Sequence, residues 1–136
     1  MLNLTTAIYG KIAGSAFSTA IGGRLRKGQA EDGIEFPYSV YFVVSGSPDN
    51  AFQMHYEDVT VQFSLFSSAS GSTEIEGMFT NLKALYDDCI LSPTSETVIY
   101  MKRVNYTGAN KEDHITPTGT QSVWAYHVDY NIFVKV

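Results

Sequence analysis

The sequence predicts an α+β domain. An antiparallel sheet of about four to five strands packs on one strong helix, with an N-terminal helix beside it, as a two-layer sandwich. Three observations carry this. Val59, Val61, Phe63 and Leu65 alternate with Asp58, Thr60, Gln62 and Ser64, the period of two of a half-buried strand. Ile75, Met78, Phe79, Leu82, Leu85, Tyr86 and Cys89 recur at three- and four-residue steps, which is one face of a helix. Trp124, Tyr126, Val128, Tyr130, Ile132, Val134 and Val136 alternate with Ala125, His127, Asp129, Asn131 and Lys135, a second long strand. A chain of 136 residues fits one domain, residues 1–136.

The elements follow in order. Leu4, Ile8 and Ile12 are spaced by four and predict a helix over Leu4–Phe17, weakened by Gly10 and Gly14 at about 1 kcal/mol each relative to alanine. Arg24–Ala30 alternates weakly and suits an edge strand, where basic side chains discourage stray pairing. Tyr38–Ser45 is a strand following Pro37. Gly46-Ser47-Pro48-Asp49-Asn50 is turn chemistry, and the chain returns through Phe52 and Met54 into the Val59 strand as an antiparallel hairpin with a long tip. Thr73-Glu74-Ile75-Glu76 fits a capping box at the start of the strong helix, which ends near Leu91-Ser92-Pro93. Thr97–Tyr106 is a strand, and Thr107–Thr120 is a polar loop containing Gly108, Pro117 and Gly119. The closing strand runs Val123–Val136. Loops of this length in a compact domain are commonly functional.

Composition narrows the function. Nine basic against fourteen acidic residues give a net charge of -5, the opposite of the basic stripe of a DNA-binding domain. The longest apolar run, Val40–Val44, is far below the ~20 residues of a membrane-spanning helix. The N-terminus has no basic start or apolar stretch of signal-peptide length. The 1 Cys, Cys89, allows no internal disulfide and reads as a small core residue. Aromatic content is 13%, a bias toward sheets and interfaces.

Catalytic chemistry is sparse. The sequence holds no nucleophile elbow, phosphate-binding loop or dinucleotide fingerprint. His55, His114 and His127 have no metal-ligand spacing to one another. His127 and Asp129 share a sheet face with Thr60, Gln62 and Ser64; the choice is between a hydrated face and, if the sheet curls into a cone, an acid–base pocket. Asp87-Asp88 reads as solvated surface. The expectation is a protein without catalytic, metal-binding or cofactor-binding residues.

Gly28-Gln29-Ala30, Gly33, Phe36-Pro37-Tyr38, Val40-Tyr41, Val44-Ser45-Gly46-Ser47-Pro48-Asp49 and Glu57-Asp58-Val59-Thr60-Val61-Gln62-Phe63-Ser64-Leu65-Phe66 together resemble the tail-completion family of tailed phages, the tail terminators of long-tailed siphophages and their prophage relatives. The resemblance is sharpest from Gly28 to Phe66; the last third matches in element order alone. It implies a structural virion protein, assembled in the host cytoplasm, at the head-proximal end of the tail. There a homo-oligomeric ring, usually a hexamer, stops polymerisation of the tube protein and joins the head connector. DNA passes through the ring without specific binding. The implied role involves no enzyme activity, cofactor or membrane.

The expected partner contacts are the two polar loops: Ser47, Asp49, Phe52 and Met54 in the first, and Tyr106, Lys111, Asp113 and His114 at or in the second. Thr60, Gln62 and Ser64 are the expected subunit-facing or lumen-facing sheet surface. Two alternatives stay open. One is another ring protein of the neck or tube. The other, from a different class, is a cone-shaped ligand-binding domain or isomerase built on His127, Asp129 or Tyr130.

Overall fold

The computed structural model describes residues 2–51, 53–116 and 119–135. Its elements are α1 (Leu2–Gly10), α2 (Ala16–Ala20), β1 (Leu25–Lys27), β2 (Tyr38–Ala51), β3 (Met54–Ser67), α3 (Thr73–Tyr86), β4 (Thr97–Thr116) and β5 (Gly119–Lys135). The five strands form one sheet in the order β1-β2-β3-β5-β4. The predicted α+β class holds.

The core is where the periodicity placed it. Val59, Val61, Phe63 and Leu65 of β3 are 0% exposed and join one cluster with Ile75, Met78, Phe79, Leu82 and Tyr86 of α3. Leu4, Ile8, Ile12 and Phe17 enter the same cluster, so the described helices cover a single face of the sheet. Each fully buried aliphatic or aromatic side chain contributes about 1.5–3 kcal/mol.

The predicted helix over Leu4–Phe17 is two helices. Gly14 lies at φ 73°, in the left-handed region that favours glycine. Ser15 then starts α2, its Oγ accepting from the Ser18 N–H at 3.1 Å, as an N-cap does. The edge strand is shorter than predicted and runs parallel to β2, with Leu25, Arg26 and Lys27 opposite Ser39, Val40 and Tyr41. The sheet is therefore mixed rather than wholly antiparallel. The connection between β1 and β2 carries the chain back to its starting end. The Arg24 guanidinium holds that connection, donating to the carbonyl oxygens of Pro37 at 3.0 Å and Phe36 at 3.2 Å.

The described residues of both predicted loops are strand apart from the turn at Gln53. Gly46, Ser47, Pro48, Asp49 and Asn50 pair with Val59, Asp58, Glu57, Tyr56 and His55. The turn comes beyond them, with Gln53 at φ 68°. β4 runs ten residues past Tyr106, and Lys111 to Thr116 face Trp124 to Gly119. Phe52, Pro117 and Val136 lie outside the described residues. Turn-forming residues sit in these strands because their distal halves carry no buried face. Pro48 is tolerated because β2 is an edge strand beyond its pairing with β1.

The predicted capping box does not form. Ser72 is the N-cap residue and makes no side-chain cap bond. The Glu74 carboxylate instead accepts from the Ser67 hydroxyl at 2.6 Å, tying the start of α3 to the end of β3. Cys89 lies beyond the end of α3 rather than on it. It is half-buried, its thiol 3.5 Å from the Met101 sulfur. Burial pushes that thiol above its ordinary pKa.

Candidate assembly surfaces

Antiparallel pairing places the two hairpins at opposite ends of the sheet. Tyr56 of β3 is level with Lys135 of β5, and Lys135 with Thr97 of β4. The β2–β3 tip therefore projects past the end where β4 begins and β5 finishes. Ser67 of β3 is level with Trp124, and Trp124 with Lys111. The β4–β5 hairpin thus leaves the sheet at the other end. Each hairpin is an arm whose backbone is satisfied by its own ladder, and the β4–β5 arm also bends back over the helix-free face, its His114 ring 5.4 Å from Phe66 of β3.

The arms carry most of the residues expected to meet partners. Ser47, Asp49 and Met54 are exposed on the β2–β3 arm, Met54 at 47%. Lys111, Asp113 and His114 lie on the β4–β5 arm, and Tyr106 at its base. Tyr106 is 54% exposed, yet its ring stacks 6.2 Å from Tyr126 and meets Phe79 of α3 at 5.4 Å. The Lys111 ammonium sits 4.9 Å over the Trp124 ring, a cation–π contact. These two side chains brace the arm as well as face outward.

The helix-free face of the sheet is drier than expected. Ser64 is 6% exposed, and Thr60 and Gln62 are half-buried. Gln62 donates to Asp129 at 2.9 Å. Ser64 Oγ lies 2.9 Å from His127 Nδ1. His127 Nε2 and His114 Nε2 then approach the two oxygens of Glu112, at 3.4 and 3.3 Å. Burial works against the Glu112 carboxylate, but hydrogen bonds from His114 and His127 outweigh it and hold its pKa below the ordinary value. This network locks the root of the β4–β5 arm to the sheet. Glu112 is its hub and was missed from the sequence.

Serine, histidine and a carboxylate in line have the parts of a proton relay. Ser64 is nevertheless mid-strand, level with Val40 on one side and His127 on the other. Its backbone is engaged in both ladders, and the residue is 6% exposed with its hydroxyl against His127. The two histidines contact different oxygens of Glu112 and do not converge on one point. Among the described residues no group of three or more ligating side chains forms a metal site.

The predicted alternative of an acid–base pocket between sheet and helix fails on orientation. His127 and Asp129 bond to Ser64 and Gln62 on the helix-free face. Tyr130 points the other way, into the core, and donates to Asp87 at 2.5 Å. Asp87 also pairs with Arg103 at 3.4 Å, so it is a structural acceptor rather than solvated surface. Among the described residues, no helix is long and apolar enough to cross a membrane.

The edges hold the second missed feature. Three register shifts eject one aliphatic side chain each: Val44 between Val43 and Ser45 in β2, and Ile99 and Val104 in β4. They are 51%, 52% and 59% exposed. An open cleft of 590 Å³ lies between the Ala30–Phe36 segment and the β4–β5 arm, lined in part by Glu31, Asp32, Tyr38, His114 and Ile115.

No protein-family model and no curated protein sequence matches the chain. Similarity is found in three dimensions. A chain from the virion of a native gene transfer agent particle superposes with a TM-score of 0.74 at 8% identity, over 98% of this chain and 95% of that one. A second solved chain, 12% identical, covers 96% of this chain and 93% of its own at a TM-score of 0.48. The sheet, its helical layer and its two hairpins thus form a fold that also occurs in a gene transfer agent virion.

Proposed function

We propose that this chain is a structural virion protein of a tailed-phage-type particle. In the finer reading it is a tail terminator, forming a ring, usually a hexamer, at the head-proximal end of the tail tube. The observation that carries this is the pair of arms at opposite ends of one rigid sheet. A terminator has two different partners, the tube below and the head connector above. Arms at opposite ends supply two separate contact sets from one subunit. The shared fold with a gene transfer agent virion chain supports the same reading, as do the ordered sequence motifs.

In this reading the chain has no catalytic role and takes no cofactor. The expected contacts are Ser47, Asp49 and Met54 on one arm, with Lys111, Asp113 and His114 on the other. DNA crosses the ring without specific binding, since a chain of net charge -5 does not invite counterion release. A different ring position in the neck or tube is the second reading, because the fold likeness favours a virion protein without choosing its place.

Deletion of the gene tests the proposal. Tails of uncontrolled length that fail to join heads are expected. Tails of normal length that join heads would sink the terminator role. Immunogold labelling of virions distinguishes the head-proximal ring from the alternative positions.

A further inference from the structure

The open cleft of 590 Å³ between the Ala30–Phe36 segment and the β4–β5 arm is preformed. Phe36, Tyr38, Phe66 and His114 make a chain of ring contacts, with centroids 5.1, 5.0 and 5.4 Å apart. The rings start on one side of the cleft and end on the other, so they fix the two sides against each other. Ile34 is half-buried and Ile115 is 91% exposed, and both line the opening. A cleft of this size with an apolar lining and a few polar groups has the form of a binding site.

Its surroundings are acidic. Glu31 and Asp32 line it. Arg26 already holds Glu31 through two nitrogens, at 2.9 and 3.0 Å. Asp32 is exposed and has no ion-pair partner among the described residues. Burial, and after it the Glu112 charge, push the Tyr38 phenol above its ordinary pKa. From Gly28 to Leu82 the chain carries no Lys or Arg. Elsewhere Lys83, Lys102, Arg103 and Lys111 each lie over an aromatic ring. Among the described residues no cation lies over Phe36 or Tyr38. The rings bordered by carboxylates are thus without a cation of their own.

We propose that the cleft takes an extended segment of a different protein, one that carries Lys or Arg beside apolar side chains. The cation meets Asp32 and the half-buried Phe36 ring, and the apolar neighbours cover Ile34 and Ile115. A second copy of this chain fits poorly. The opposite end of the sheet carries Asp49, Glu57 and Asp58 against Lys135, so end-to-end stacking would bring acid to acid. The site stands whether or not the chain forms a ring.

Nuclear magnetic resonance titration tests it with two synthetic peptides, one alternating leucine with arginine and one alternating leucine with glutamate. The arginine peptide is expected to shift the amide signals of Ala30–Phe36 and of His114 and Ile115. The glutamate peptide should leave them in place. Asp32→Asn should weaken the arginine peptide about two- to fivefold. Ile115→Ser should weaken it about tenfold. Both side chains are exposed, so both variants should melt like the parent. Asp49→Asn, on the other arm, should bind like the parent.

Several results would overturn the cleft site. Equal binding of the two peptides would do so, as would no binding of the arginine peptide at millimolar concentration. Equal weakening by Asp49→Asn and Asp32→Asn would reduce the attraction to diffuse charge. Unchanged binding by both Asp32→Asn and Ile115→Ser, or shifts confined to other segments, would place the contact elsewhere. Self-association of the parent that is lost in Ile115→Ser would give the cleft to a second copy and overturn the choice of a different protein.

Discussion

The Tyr86 hydroxyl donates to the carbonyl oxygen of Ile8 at 2.7 Å. Ile8 belongs to the last turn of α1, where carbonyls lack intrahelical partners. Tyr86 is 0% exposed, so this buried bond fastens the end of α1 to α3. Tyr86→Phe keeps the ring and removes the donor, leaving a buried carbonyl unpaired. The expected cost is roughly 1–3 kcal/mol, read as a lower denaturant midpoint with unchanged slope. A variant as stable as the parent would mean that the Ile8 carbonyl finds another donor.

The same burial sets the response to alkali. Burial pushes the Tyr86 phenol well above its ordinary value of 10. Burial does the same to Tyr130, reinforced by the hydrogen bond to Asp87. In the unfolded chain both ionise near 10; in the folded chain they stay neutral. Their contribution is complete below pH 10 and is lost as pH rises above it, because the unfolded state then releases protons that the folded state retains. Denaturant midpoints should hold up to about pH 10 and fall beyond it, with a shallower fall for Tyr130→Phe. An identical alkaline slope in that variant would remove Tyr130 as a cause.

Ser67 and Thr73 separate a motif read in sequence from the bond that exists. Ser67 is 0% exposed, and its hydroxyl reaches both Glu74 and the Ala69 N–H. Thr73 opens α3, and the capping residue before it makes no side-chain cap bond. Ser67→Ala should cost about 1–2 kcal/mol, and Thr73→Ala should stay within about 0.5 kcal/mol of the parent. Thermal melts of the two single variants decide it, and the reverse order would restore the capping box.

What the sequence showed follows from where burial imprints a period. Val59 to Leu65 and Ile75 to Tyr86 each have one buried face, and their alternation named the core strand, the helix and their contact. Ser47 to Asn50 and Thr107 to Asp113 have no such face. Their composition then reads as turn or loop although the backbone is a ladder. Val44, Ile99 and Val104 escape a count of alternation for a related reason: a bulge adds a residue, so a period carried across it assigns the wrong face. The doublets Val43-Val44 and Val98-Ile99 were the available signal, since strict alternation would send one of each pair into water. Glu112 left no signal, because its two histidine partners are brought to it only by the pairing of β4 with β5.

Glu112 gives the arm an acid-side dependence. Its carboxylate is partly desolvated, but the bonds from His114 and His127 prevail and hold its pKa below 4.5. Tyr38 also feels its charge. A lowered folded pKa means that the carboxylate's contribution is complete above 4.5 and is lost as pH falls through the folded value. Protonation removes acceptor capacity from both histidine contacts at once, so the root of the β4–β5 arm should loosen before the core does. Trp124 reports on this, because it is level with Lys111, one residue from Glu112, and is the chain's 1 Trp. Its emission should change below pH 4.5 while far-ultraviolet circular dichroism stays constant. Glu112→Gln should show the altered emission already at neutral pH, with no acid step. An acid step of the same midpoint in Glu112→Gln would assign it to another carboxylate and detach the arm from this network.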